Sequence, residues 1–180
     1  TGLQGFLYGA NFEGGGNKDQ FTAEILALEP AAAWSADLPA TTNYQQRTEQ
    51  IPAPKDLKPG FYFIVASHDP AFSGGDNQVT AASVWVSDLA LVIRRDYMAG
   101  AIGGFVLTAR SGEPVVGAAI RTWARVEGGN EKTVRRVPGP TATTDENGLF
   151  LITGEKRQLL FLAEKGGQSI ASEGEYSSQS

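Results

Sequence analysis

Apolar and polar residues alternate in short runs along most of the chain, the period expected of half-buried strands. Phe6-Leu7-Tyr8 precedes a Gly14-Gly15-Gly16-Asn17 turn, and residues 20–28 read as a second extended stretch. Residues 41–51 are rich in Thr and Gln without a buried face, which fits an edge strand. Phe61-Tyr62-Phe63-Ile64-Val65 is apolar on both faces and predicts a strand covered on both sides, launched by the turn pair Pro59-Gly60. Residues 79–86 continue the pattern, and Leu89, Leu91 and Ile93 alternate after them. Residues 94–104 then break it with two arginines, Asp96 and glycines at 100, 103 and 104, and they read as a linker.

Beyond the break, residues 105–109 predict a strand and Ser111-Gly112-Glu113-Pro114 a turn. Residues 115–126 follow, with Ile120, Thr122, Ala124 and Val126 on one face and Arg121, Trp123 and Arg125 on the other. Asp145-Glu146-Asn147-Gly148 has hairpin chemistry and feeds Leu149-Phe150-Leu151-Ile152, and residues 159–163 form the last strong strand. No window carries a helical stripe, and the alanine-rich residues 30–34 support one turn at most. Many short strands with closely spaced turns predict an all-β fold. The linker divides it into two tandem antiparallel β-sandwiches of immunoglobulin or fibronectin-III size, residues 1–95 and 104–180, the second ending in a serine-rich tail.

Composition narrows the function. Apolar residues make up 41% of the chain, enough to fill real cores. The net charge of −5 leaves no basic stripe for a nucleic-acid backbone or an anionic membrane. The absence of cysteine removes disulfides, thiolate metal sites, cysteine nucleophiles and any internal thioester from this segment. No apolar run reaches the length of a membrane span, so no membrane insertion by this segment is expected. A start at Thr1 without methionine and a Ser177-Ser178-Gln179-Ser180 end lead us to expect a piece of a larger protein.

The candidate chemistry is thin. Ser67, His68 and Asp69 supply the residue types of a hydrolytic triad, but neighbours along a strand end point to different sides and do not converge on one proton path. The acidic loop 69–76 with Asn77, and the turn Asp145-Glu146-Asn147, offer oxygen ligands without the spacing of a helix–loop–helix calcium site. The glycine run before Lys18-Asp19 lacks the Lys-Ser/Thr ending of a phosphate loop. Trp34, Trp85 and Trp123, with Tyr8, Tyr44, Tyr62 and Tyr97, raise the idea of a sugar-stacking platform. Trp85 sits in an apolar strand and reads as core. Trp123 shares its face with Arg121 and Arg125, and reads as an outer-face ring under arginine stems or at an interdomain contact. We assign no catalytic, cofactor-binding or metal-binding residue, and expect a non-enzyme without a cofactor.

Four motifs carry a resemblance. Pro59-Gly60-Phe61-Tyr62-Phe63-Ile64-Val65-Ala66-Ser67 resembles the "PGxYxxxAS" strand of bacterial α2-macroglobulin family proteins, and Val86-Ser87-Asp88-Leu89-Ala90-Leu91-Val92 their "VSDLxLV" strand. The stretch from Phe105 through Gly112-Glu113-Pro114-Val115-Val116-Gly117-Ala118 is similar to the opening of the next domain, and Thr144-Asp145-Glu146-Asn147-Gly148-Leu149-Phe150 to its "TDxxGxF" hairpin, a motif also found in transthyretin-like sandwiches. The family's Cys-Gly-Glu-Gln thioester and bait segment are not identifiable here. The resemblance implies two consecutive macroglobulin-like domains serving as scaffold in a protease-trapping inhibitor. It implies an extracytoplasmic location, with neighbouring domains of the same polypeptide and, through the parent protein, proteases as partners. An adhesion or carbohydrate-binding sandwich pair of a cell-surface protein is the alternative.

Overall fold

A computed structural model describes residues 18–40, 47–73, 77–96, 100–127 and 134–178. The expected strand at Phe6-Leu7-Tyr8, the turn at residues 14–17 and residues 41–46 of the polar run lie outside them. The described chain is all-β apart from one helix, and every strand pairing is antiparallel.

The strands are β1 (Gly60–Ala66), β2 (Thr80–Val86), β3 (Leu89–Asp96), β4 (Ala101–Thr108), β5 (Ala119–Glu127), β6 (Val134–Pro138), β7 (Ala142–Thr143), β8 (Leu149–Thr153), β9 (Leu159–Lys165) and β10 (Gln168–Ala171). They form three sheets. One is ordered β3-β4-β8, one β10-β9-β5-β6 with β7 also on β5, and the third is the two-stranded ribbon β1-β2. The chain crosses between the two larger sheets after β4, β7 and β8. These sheets face each other across one core, a β-sandwich. Leu89, Ile102, Val106, Phe150 and Ile152 come from one side, and Ala118, Ile120, Ala124, Leu159, Phe161 and Ala163 from the other. The Phe150 and Phe161 rings meet at its centre, 5.9 Å apart.

The expected linker is a correction. Residues 94–96 lie in β3 and residues 101–104 in β4, paired Arg94 with Gly103 and Ile93 with Gly104. The boundary drawn between residues 95 and 104 therefore falls inside a hairpin. The glycines there answer to packing, not flexibility: a Cβ on Gly104 would collide with the Val92 carbonyl and the Phe150 ring. Among the described residues one sandwich forms, from β3 to β10.

Three further expectations change. Residues 20–28, read as extended, lie largely in helix α1 (Lys18–Leu26). Ala23, Glu24 and Leu26 are strong helix formers, and the apolar positions do not gather into a stripe that periodicity would reveal. The strand 61–65 is not covered on both sides: among the described residues β1 pairs only with β2, and Ile64 is 40% exposed. Residues 47–51 form no strand. The serine-rich tail folds back on the sandwich, where Tyr176 bridges to Leu159 and both Ser172 and Ser178 are buried.

The "TDxxGxF" residues fasten the sheets together. The buried Thr144 hydroxyl donates to the Val115 carbonyl at 2.6 Å and accepts from the Ala118 amide at 2.8 Å. Asp145 Oδ1 accepts from the amides of Asn147 and Leu149, both at 2.9 Å. Gly148 turns the chain at φ +70°, and its carbonyl accepts from the Val106 amide at 2.9 Å.

Candidate functional site

The residues singled out for chemistry do not form a reactive centre. The Ser67 hydroxyl donates to the Asp69 carbonyl at 2.7 Å and accepts from the Asp69 amide at 3.0 Å. The Asp69 carboxylate accepts from the Ser73 hydroxyl and from the amides of Ala71 (2.9 Å) and Ser73 (3.2 Å). Those bonds, the Ser73 hydroxyl first, hold its carboxyl below the usual range. His68 is exposed. The Ser67 and Asp69 side chains organise the loop that joins β1 to β2, a job of folding.

The acidic turns are likewise engaged with backbone. Asp145 spends Oδ1 on two amides, and residues 74–76 of the other loop lie outside the described residues. Among the described residues no three His, Cys, Asp or Glu side chains gather at metal-binding spacing. No helix there is long and apolar enough to cross a membrane. Lys18-Asp19 opens α1, and the glycines before it are outside the described residues.

The aromatic residues assemble something more specific. Alternation along β5 and β9 sends Ile120, Leu159 and Phe161 into the core, and Trp123, Leu160 and Leu162 to the outer face of the same sheet. There Trp123, Leu160, Leu162 and Ala171 form a second buried cluster, and Phe61 and Trp85 of the ribbon pack on it. Register pairs Phe61 with Trp85, and their rings lie 5.0 Å apart. Phe63 meets Phe61 edge-on at the same distance. Arg121 extends its guanidinium over the Trp123 ring, 5.6 Å from the centroid, while its Nε donates to Glu164 at 2.6 Å. Trp123 is thus both an outer-face ring beside an arginine and the floor of a contact with another element. Trp85 belongs to this seam rather than to the sandwich core. Trp34 lies half-exposed in irregular chain, Tyr62 donates its hydroxyl to the Lys58 carbonyl, and Tyr8, Tyr44 and Tyr97 lie outside the described residues.

The seam is shallow and incompletely filled. No residue of β1 or β2 is fully buried. Phe61 and Trp85 are only partly buried, so each ring contributes less than the roughly 1.5–3 kcal/mol of a fully buried side chain. A groove of about 640 Å³ remains between Ser83 and Trp85 of the ribbon, Leu89 and Leu91 of β3, and Ile170 and Glu173. The joint from ribbon to sandwich is short. Asp88 is fixed to the sandwich through its amide to Gln168 Oε1 (3.1 Å) and its carbonyl from the Ala109 amide (2.7 Å), which leaves Ser87 between Asp88 and the end of β2.

The opposite face of the sandwich is also apolar. Val92, Phe105 and Leu149 stand in one row across β3, β4 and β8, with Leu151 beside them. Val92 is 47% exposed and Leu151 58%.

Sequence reasoning found Trp123 and its arginine by alternation alone. It missed Leu160, Leu162 and Ala171 as a surface, because residues 159–163 of β9 are apolar without a break and the two faces look alike in sequence. It also missed Glu175, whose carboxylate joins Arg125 (3.4 Å) and Arg136 (2.7 Å) and ties the tail to β5 and β6. Only the long-range pairing of strands reveals either. Comparison with protein-family models, with curated proteins and with solved structures finds no match to the chain.

Proposed function

We propose that this chain is a non-catalytic packing segment of a bacterial α2-macroglobulin-like protease trap, working outside the cytoplasm. The observation that carries the proposal is that both outer faces of the sandwich are apolar. One is covered by the ribbon through Phe61 and Trp85, and the other presents Val92, Leu149 and Leu151. Apolar sheet faces of this kind suit packing between successive modules of one polypeptide. The motifs behind the family resemblance also sit at structural joints: Ser87-Asp88 links ribbon to sandwich, Gly112 to Ala118 turns β4 toward β5, and Thr144 to Gly148 carries the chain to β8. Ser67, Asp69 and Asp145 are engaged with nearby backbone, which favours a scaffold over an enzyme. In this role the partners are neighbouring domains and, through the longer protein, proteases. The second domain of the tandem would then lie outside β3 to β10, with the ribbon as its contact.

A paired protease assay tests the proposal. The chain alone is expected neither to slow digestion of a bulky protein substrate nor to form a covalent adduct, since it has no thioester cysteine. The longer protein is expected to slow digestion of the bulky substrate far more than that of a short chromogenic peptide. Strong inhibition of both substrates by the chain alone would overturn the scaffold role. A longer protein that spares both would favour adhesion or carbohydrate binding.

A further inference from the structure

We infer that the β1–β2 ribbon is a releasable strap, which leaves the sandwich without unfolding it and uncovers Trp123, Leu160, Leu162 and Ala171. The inference stands apart from the trap proposal and rests on four observations. Among the described residues the ribbon is a separate sheet, joined by no strand pairing to the sandwich. Its strands contain no fully buried residue, whereas β4 and β9 each carry five. The apolar residues divide into two clusters, and the ribbon contributes only to the smaller. Downstream the ribbon hangs on Ser87, next to an Asp88 already fastened to Gln168 and Ala109. Cooperative units of a fold follow such divisions, and the one with few buried contacts opens first. A two-stranded hairpin is marginal without a surface to lie on, so release of the strap also loosens it.

The absence of native cysteine allows a direct test, since a single introduced thiol reports its own exposure. Ala171→Cys places a thiol in the seam under the strap, and Ala163→Cys or Ala118→Cys places one in the sandwich core. A bulky thiol reagent is expected to label the Ala171→Cys variant about 100-fold faster than either core variant under native conditions. Adding Phe61→Ala should accelerate the seam thiol about 10-fold further and leave the core thiols within about 2-fold. Equal labelling at seam and core would overturn the inference, because strap and sandwich would then open as one unit. Equal acceleration of both by Phe61→Ala, or loss of the whole fold, would do the same.

Discussion

At the scale of single residues, Thr144 shows how a motif that looks chemical does structural work. Its hydroxyl lies between two sheets and satisfies the Ala118 amide and the Val115 carbonyl together. Thr144→Val keeps the shape and removes the hydroxyl, so it leaves two polar groups unpaired where Ala118 is fully buried. Stranding buried polar groups costs about 1–3 kcal/mol, and we expect the urea midpoint to fall accordingly with an unchanged slope. A loss under about 0.5 kcal/mol would mean that water or a neighbour replaces the hydroxyl. Gly148 is constrained twice over. Its φ of +70° disfavours any side chain, and a Cβ would stand 2.6 Å from the Val106 carbonyl oxygen.

At the scale of elements, the turn between β8 and β9 is pinned by charge and by the tail. Arg157 donates to both oxygens of Glu155, and Ser178 donates to the Glu155 carbonyl at 2.6 Å. The hydrogen bond from Arg157 is the main reason that the Glu155 carboxyl falls from 4.5 to about 2. A depressed carboxyl stabilises the fold fully above pH 4.5, and that contribution fades as pH falls from 4.5 through about 2. Arg157→Gln should return the Glu155 titration toward 4.5 in a carboxyl-detected NMR experiment, and flatten that part of the acid-stability profile. An unmoved titration would assign the depression to backbone amides instead.

Elements were legible where alternation or turn chemistry is local. Of the expected strands 105–109, 115–126 and 149–152, residues 105–108, 119–126 and 149–152 fall in β4, β5 and β8, while residues 115–118 precede β5, and the two faces of β5 are the predicted ones. The hairpin at residues 94–104 was hidden because glycine reads as flexibility in sequence, whereas here it makes room for Phe150. β10 was missed because Gln168 and Ser169 are polar, although Ile170 and Ala171 pack inward on the two clusters. The candidate seam was half visible. Trp123 could be placed on an outer face from β5 alone, but its cover comes from residues 61 and 85, and no local pattern specifies that distance in the chain.

For the whole molecule, the consequence of the β3–β4 hairpin is that the chain cannot be divided at residues 95 and 104. Such a cut strips Leu89 and Ile102 from the core and removes the partner strand of β4. Residues 104–180 expressed alone are expected to lack a cooperative unfolding transition, measured by circular dichroism against urea, while the full chain has one. A sharp transition in that fragment would restore the tandem arrangement. The larger sheet also has a margin that deals with crowding. Beside β5 its outer strand is broken between β6 and β7 by Pro138-Gly139-Pro140, where the Gly139 amide turns inward to the Thr122 carbonyl and the two prolines have no N–H. A stray strand from another chain finds no continuous row of donors there. Edge-to-edge pairing along this margin is therefore blunted by the covalent structure of the backbone itself.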